Sequence, residues 1–82
     1  MNRKKIENKV KEIISKELGV KIENITTDKR LIEDFGMDSF NAIEIGFEIK
    51  DKFGVEIAED DFKKIKKFKD LLEYILEHIT QN

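Results

Sequence analysis

The sequence contains no cysteine and no proline, and its one histidine is His78. Without cysteine there are neither disulfides nor thiolate metal ligands to staple the fold. A single histidine removes most catalytic dyads and zinc sites. No apolar stretch is long enough to span a membrane. The basic start Met1-Asn2-Arg3-Lys4-Lys5 has no apolar run behind it, so it does not read as a secretory signal, and the expected compartment is the cytoplasm. Strand signals are also scarce: there is no useful β-branched alternation and no Asn-Gly or Asp-Gly turn. Repeats and low-complexity tracts are absent. At 82 residues the chain is expected to form one domain that buries about 60–65% of its unfolded surface, too little for a large walled cleft.

Charge, in contrast, is abundant. Charged residues make up 41% of the chain, yet the net charge is only -2 because the signs are segregated. Residues 1–32 hold nine Lys/Arg against five Asp/Glu, residues 33–61 two against ten, and residues 62–82 five against three. An acidic middle between basic ends points to a partner surface of mixed sign. It opposes nucleic-acid binding, which asks for one dominant basic patch.

Helical spacing dominates the pattern. Ile6, Val10, Ile13, Ile14 and Leu18 form one stripe and predict a first helix over about 3–18, closed by Gly19. Residues 20–38 have no sustained period and form a long connection, with Val20, Ile22, Ile25, Leu31 and Phe35 as candidate tacks into the core and a turn at Thr26-Thr27-Asp28. A second helix is expected over about 39–53, with Asp38 as N-cap and Gly54 at its end. A short helix near 59–64 and a last helix over about 68–79 complete an all-α fold, a small three-to-four-helix bundle.

The second helix has two apolar stripes. Ala42, Ile45, Ile49 and Phe53 form one, and Phe40, Ile43 and Phe47 form the other, at the same steps of three and four. Spacing alone allows a central helix with both stripes in the core. It equally allows one stripe to pack while the other meets a partner, with Glu44, Glu48 and Asp51 as its rim.

Before that helix stands Glu33-Asp34-Phe35-Gly36-Met37-Asp38-Ser39-Phe40. A serine in a helix's first turn is exposed beside unpaired N–H groups, and an anion attached there meets the positive end of the dipole. Gly36 permits a sharp approach of the backbone. No histidine or lysine lies close to Ser39 in sequence, so its hydroxyl reads as a substrate group rather than an activated nucleophile.

This segment resembles the acyl carrier protein family, in which the serine of an Asp-Ser-Leu motif carries 4′-phosphopantetheine. The resemblance extends to Lys16-Glu17-Leu18-Gly19-Val20, to Phe53-Gly54-Val55-Glu56-Ile57 and to Leu71-Leu72-Glu73-Tyr74-Ile75, and so covers nearly the whole chain. It implies that Ser39, within the Asp38-Ser39 motif, is modified by a phosphopantetheinyl transferase using coenzyme A and magnesium. It further implies that the thiol of the arm holds acyl groups as thioesters. The implied partners are that transferase and acyl-loading, condensing and acyl-transfer enzymes. They would dock on Phe40, Ile43, Glu44, Phe47, Glu48 and Asp51 of a monomeric carrier that is not itself an enzyme.

The sequence departs from the family at Phe40, where leucine is usual, at Ala58, where proline is common, and at Lys66-Lys67, where a threonine usually caps the last helix. Lysine cannot cap and opposes the dipole there. Lys50 and Lys52 dilute the acidity of the second helix, and Gly46 costs it about 1 kcal/mol relative to alanine. These departures point to a specialised set of partners. An aminoacyl or peptidyl carrier, an unmodified helical adaptor and, more remotely, a small DNA-binding domain are the alternative readings. His78 and Tyr74 are expected to be structural.

Overall fold

The computed structural model describes residues 2–79, in the order α1 (Arg3–Leu18), a 3-10 turn (Ile22–Asn24), α2 (Ser39–Phe53), α3 (Glu59–Lys64) and α4 (Phe68–Ile79). The class is all-α, as expected. Among the described residues the only extended pairing is an isolated antiparallel bridge between Arg30 and Lys67. No helix among them is long and apolar enough to cross a membrane.

The helix ends follow from local chemistry. The Asn2 side chain accepts the Lys5 N–H at 2.9 Å and starts α1. Gly19, at φ 68°, ends it with its N–H donated to the Ser15 carbonyl, and the Ser15 hydroxyl then donates to the Val20 carbonyl at 2.6 Å. Gly54 closes α2 in the same left-handed conformation. The absence of proline at residue 58 does not prevent α3, whose first turn carries Glu59, Asp60 and Asp61 at the positive end of its dipole.

α1 packs against α2 and α4. Ile13 and Ile14 of α1, Ile45 and Ile49 of α2, and Phe68, Leu71 and Ile75 of α4 are essentially closed to solvent. The connection between α1 and α2 contributes Ile25 and Leu31, with Val20 and Phe35 partly buried. Ile22 is the exception among the expected tacks: it is 45% exposed, because the 3-10 turn presents Ile25 rather than Ile22 to the core. Met37, not anticipated as a core residue, is buried just before α2.

The start of α4 shows how the lysine pair is accommodated. The Phe68 N–H donates to the Lys29 carbonyl at 2.9 Å and the Lys69 N–H to the Thr27 carbonyl at 3.1 Å. The Asp70 carboxylate accepts the backbone N–H groups of Lys66 and Lys67. The Lys69 and Asp70 N–H groups, which a threonine cap would serve, are instead taken by the Thr27 and Lys67 carbonyls, and Asp70 supplies the reverse half of the cap. In the opposite direction the Leu31 N–H donates to the Lys66 carbonyl at 2.9 Å. Farther along α4, the Tyr74 hydroxyl donates to Asp61 of α3 at 2.9 Å, so it is a tether rather than a free surface group. Burial first, and then this carboxylate, raise its pKa above the ordinary phenol value. His78 stacks on Tyr74 with ring centroids 3.9 Å apart and donates from Nδ1 to the Tyr74 carbonyl.

Two stability predictions follow from these contacts. A Cβ added at Gly46 would meet nothing within 4 Å. Gly46→Ala should therefore stabilise the fold by about 0.5–1 kcal/mol, raising the thermal midpoint read by circular dichroism by about 2–8 °C. The second concerns Asp34, whose pKa is held below the ordinary carboxylate range first by the Arg30 backbone N–H it accepts at 2.7 Å and then by the charge of the Arg30 guanidinium it faces. A lowered folded pKa contributes stability above the unfolded value that is lost as pH falls through the folded one. Urea unfolding should find Asp34→Asn less stable than wild type at neutral pH, with the gap closing as the solution is acidified below the carboxylate range.

Candidate functional site

Ser39 is the first residue of α2, and its position is set from both sides. Upstream, a helical turn ends at Gly36, whose φ of 71° suits glycine. Its N–H donates to the Ile32 carbonyl, and the Met37 N–H reaches the Leu31 carbonyl at 3.0 Å. Downstream, Asp38 caps α2: its side chain accepts the Asn41 N–H at 2.8 Å, and the Asp38 N–H donates to Asn41 Oδ1 at 3.1 Å, completing a capping box. Between these anchors Ser39 is exposed, and its hydroxyl has no hydrogen-bond partner among the described residues. No base touches it. The Ser39 and Phe40 N–H groups likewise have no acceptor there and point out of the helix start.

The two stripes of α2 separate in the fold. Residues two apart on a helix differ by about 200° in direction, so burying Ile45 turns Ile43 and Phe47 away from the core. Phe40, Ile43 and Phe47 are 74%, 58% and 65% exposed. The reading in which both stripes are core does not hold. Glu44 and Asp51 are exposed with the outer stripe. Glu48 is placed differently: it is half-buried and forms an ion pair with Lys16 of α1, which holds its carboxyl below the ordinary range. Lys50 stands 3.7 Å from Glu56.

Beside Ser39 lies a cleft of about 450 Å³ between α2, the upstream turn and α3. Ile32, Met37, Ile43, Phe62 and Ile65 make it apolar, while Asp38, Ser39, Glu59, Lys63 and Lys66 stand around it. An adjoining hollow of about 280 Å³ runs along α2 past Gly46 and Phe47. The two share Ile43, Glu59 and Phe62, so they are halves of one furrow. Lys63 and Lys66 are the surprise. No lysine is near Ser39 in sequence, yet two line the cleft onto which it opens, because the bridge at Lys67 draws the α3–α4 junction against the turn before Ser39. The available sequence signal was the Lys66-Lys67 pair at an unfavourable helix start. Among the described residues no group of three His, Cys, Asp or Glu side chains is placed to hold a metal.

This arrangement presents an exposed, unpaired hydroxyl at an anion-favouring helix end. The family model described as "Phosphopantetheine attachment site" matches residues 8–75. Acyl carrier proteins from two strains of Rickettsia bellii are 45% and 47% identical over 73 residues, covering 89% of this chain and 85% and 90% of those proteins. An acyl carrier protein from Nitratidesulfovibrio vulgaris is 41% identical over 70 residues, covering 85% of this chain and 92% of that one. The solved structure of the Enterococcus faecalis acyl carrier protein superposes with a TM-score of 0.80 at 30% identity, covering 94% of this chain and 98% of that one.

The class is therefore that of helical proteins that carry a phosphopantetheine arm. Within it, the chain belongs to the acyl carrier protein family. Its prosthetic group is 4′-phosphopantetheine, and it serves as a carrier rather than a catalyst. The site fits that group: an open, unpaired hydroxyl, free first-turn N–H groups and an adjoining furrow.

The separation of the stripes is measurable. Phe47→Ser should change unfolding free energy by less than about 0.5 kcal/mol, as surface substitutions do. Ile49→Ala, two residues on, should cost about 2–5 kcal/mol. Urea titration followed by circular dichroism distinguishes the two.

Proposed function

We propose that Ser39 Oγ is the attachment atom for 4′-phosphopantetheine and that residues 1–82 form a single carrier domain shuttling acyl groups in fatty-acid, polyketide or related lipid biosynthesis. The observation that carries this reading is the exposed, unpaired hydroxyl of Ser39 at the capped start of α2. Bound there, the arm supplies a terminal thiol that holds acyl groups as thioesters, which this cysteine-free chain cannot do alone. The chain's own contribution is positional. Asp38 and Gly36 hold Ser39 at the surface, and the dipole and free N–H groups of α2 favour the phosphate. The apolar furrow offers shelter to a short acyl chain.

Partner docking falls to the outer face of α2. Phe40, Ile43 and Phe47 supply apolar anchors beside Ser39, with Glu44 and Asp51 as exposed carboxylates for basic partner surfaces. Glu48 belongs to this group by sequence, but its pairing with Lys16 ties it to α1, so it contributes less to docking. The partners are a phosphopantetheinyl transferase and enzymes that load, condense and transfer acyl groups. The protein acts as a monomer in the cytoplasm.

Incubation with coenzyme A, magnesium and a broad-specificity phosphopantetheinyl transferase should add one phosphopantetheine to the intact mass, and Ser39→Ala should add none. An equal adduct on the variant would move the attachment elsewhere. Loading the modified protein with acyl and with aminoacyl donors should favour the acyl donors, and the reverse preference would make it an aminoacyl carrier.

A further inference from the structure

Lys63, on α3, and Lys66, in the α3–α4 junction, line the cleft onto which Ser39 opens. They come from different elements, both are exposed, and neither ammonium has a carboxylate partner among the described residues. The carboxylates nearby are otherwise placed. Asp38 is occupied with the Asn41 N–H. Asp70 accepts the backbone N–H groups of Lys66 and Lys67 rather than an ammonium. Glu59, one turn before Lys63 on α3, lines the same cleft and the adjoining hollow but forms no ion pair with either lysine. Lysine at residue 66 does nothing for the start of α4, which is capped by Asp70 and by the carbonyls of Thr27 and Lys29. Two unpaired cations thus border an apolar cleft beside the hydroxyl that receives a phosphate.

We propose that Lys63 and Lys66 form an anion subsite for the phosphodiester of the arm on Ser39, drawing the first segment of the arm against the α2–α3 cleft instead of leaving it free in solvent. The inference rests on Ser39 being the attachment residue. A phosphodiester bonded to Ser39 Oγ is held beside the cleft by its own linkage, so the effective concentration of anion at the lysines is high. It keeps a single negative charge near neutral pH, and the Ser39 and Phe40 N–H groups at the α2 start, which have no acceptor, favour it as well. Exposed ion pairs are individually weak. That weakness suits a carrier, because the arm must leave its resting place whenever an enzyme takes the cargo. Met37, Ile43 and Phe62 then offer an apolar bed to the pantetheine carbon chain just beyond the phosphate.

The test compares unmodified and modified protein, with modification verified by intact mass. Side-chain Hε–Cε resonances of Lys63 and Lys66 should shift on modification while those of Lys9 on α1 stay in place. Raising salt from about 0.02 M to about 0.5 M should reverse the shifts, because that range takes the screening length from beyond the phosphate–ammonium distance to about that distance. In Lys63→Gln/Lys66→Gln, the arm should be loaded as before, but the fraction of arm held against the protein should drop about two- to fivefold, the range expected for exposed pairs, read from 31P and arm-proton relaxation. Lys4→Gln/Lys9→Gln removes the same charge elsewhere and should leave arm relaxation at the wild-type value. Full loading of Ser39 with unmoved Lys63 and Lys66 resonances overturns the subsite and leaves Ser39 as the attachment residue. An equal effect of the Lys4/Lys9 variant assigns the restraint to the overall field and also overturns it. Failure of wild-type loading removes the attachment residue and the subsite together. The lysine resonances are read on the wild-type chain, so the test survives poor folding of a variant.

Discussion

Two backbone hydrogen bonds hold the functional end of this molecule together: the Leu31 N–H to the Lys66 carbonyl, and the Phe68 N–H to the Lys29 carbonyl. They pin the long connection between α1 and α2 onto the α3–α4 junction. Leu31 is thereby fixed in the core, and α4 receives acceptors for its first N–H groups. The turn that follows Leu31 ends at Gly36 and delivers Asp38 to its capping position, so Ser39 inherits its place from a contact made eight residues earlier. The same contact brings Lys63 and Lys66 to the cleft beside Ser39.

α2 is a wall with two working sides. Its inner face contributes Ile45 and Ile49 to a core in which large-to-small changes are costly. Its outer face leaves three large apolar side chains, Phe40, Ile43 and Phe47, in water. The charges follow the same division. Glu48 turns inward to Lys16 and ties α2 to α1, while Glu44 and Asp51 stay with the outer face. α3 is held more lightly. None of its residues is fully buried, and it depends on Phe62, on the Ile65 that follows it and on the Tyr74–Asp61 hydrogen bond. The furrow beside Ser39 therefore has one firm wall and one light one.

Much of this was legible in the chain. The all-α class followed from apolar steps of three and four with no strand signal, and the glycines at 19 and 54 marked helix ends because few other residues enter the left-handed region. Tyr74 and Ile22 were less transparent. A tyrosine on a helix stripe does not reveal that an aspartate thirteen residues away will accept its hydroxyl, and an isoleucine in an aperiodic segment does not reveal which way a 3-10 turn will face. Met37 was hidden for a related reason. It lies outside any periodic run, and only the closing of the turn onto Leu31 buries it.

The amino-acid order was sufficient to specify helices, their ends and the serine at the start of α2, because capping and periodicity are properties of neighbouring residues. It also specified that α2 carries two apolar stripes. Which stripe is buried, where Glu48 finds its cation, how α4 begins without a capping threonine and why two lysines stand beside Ser39 were decided by the packed molecule. Each of these depends on contacts between segments far apart in the chain, and such contacts exist only once α1, α4 and the long connection close around the core.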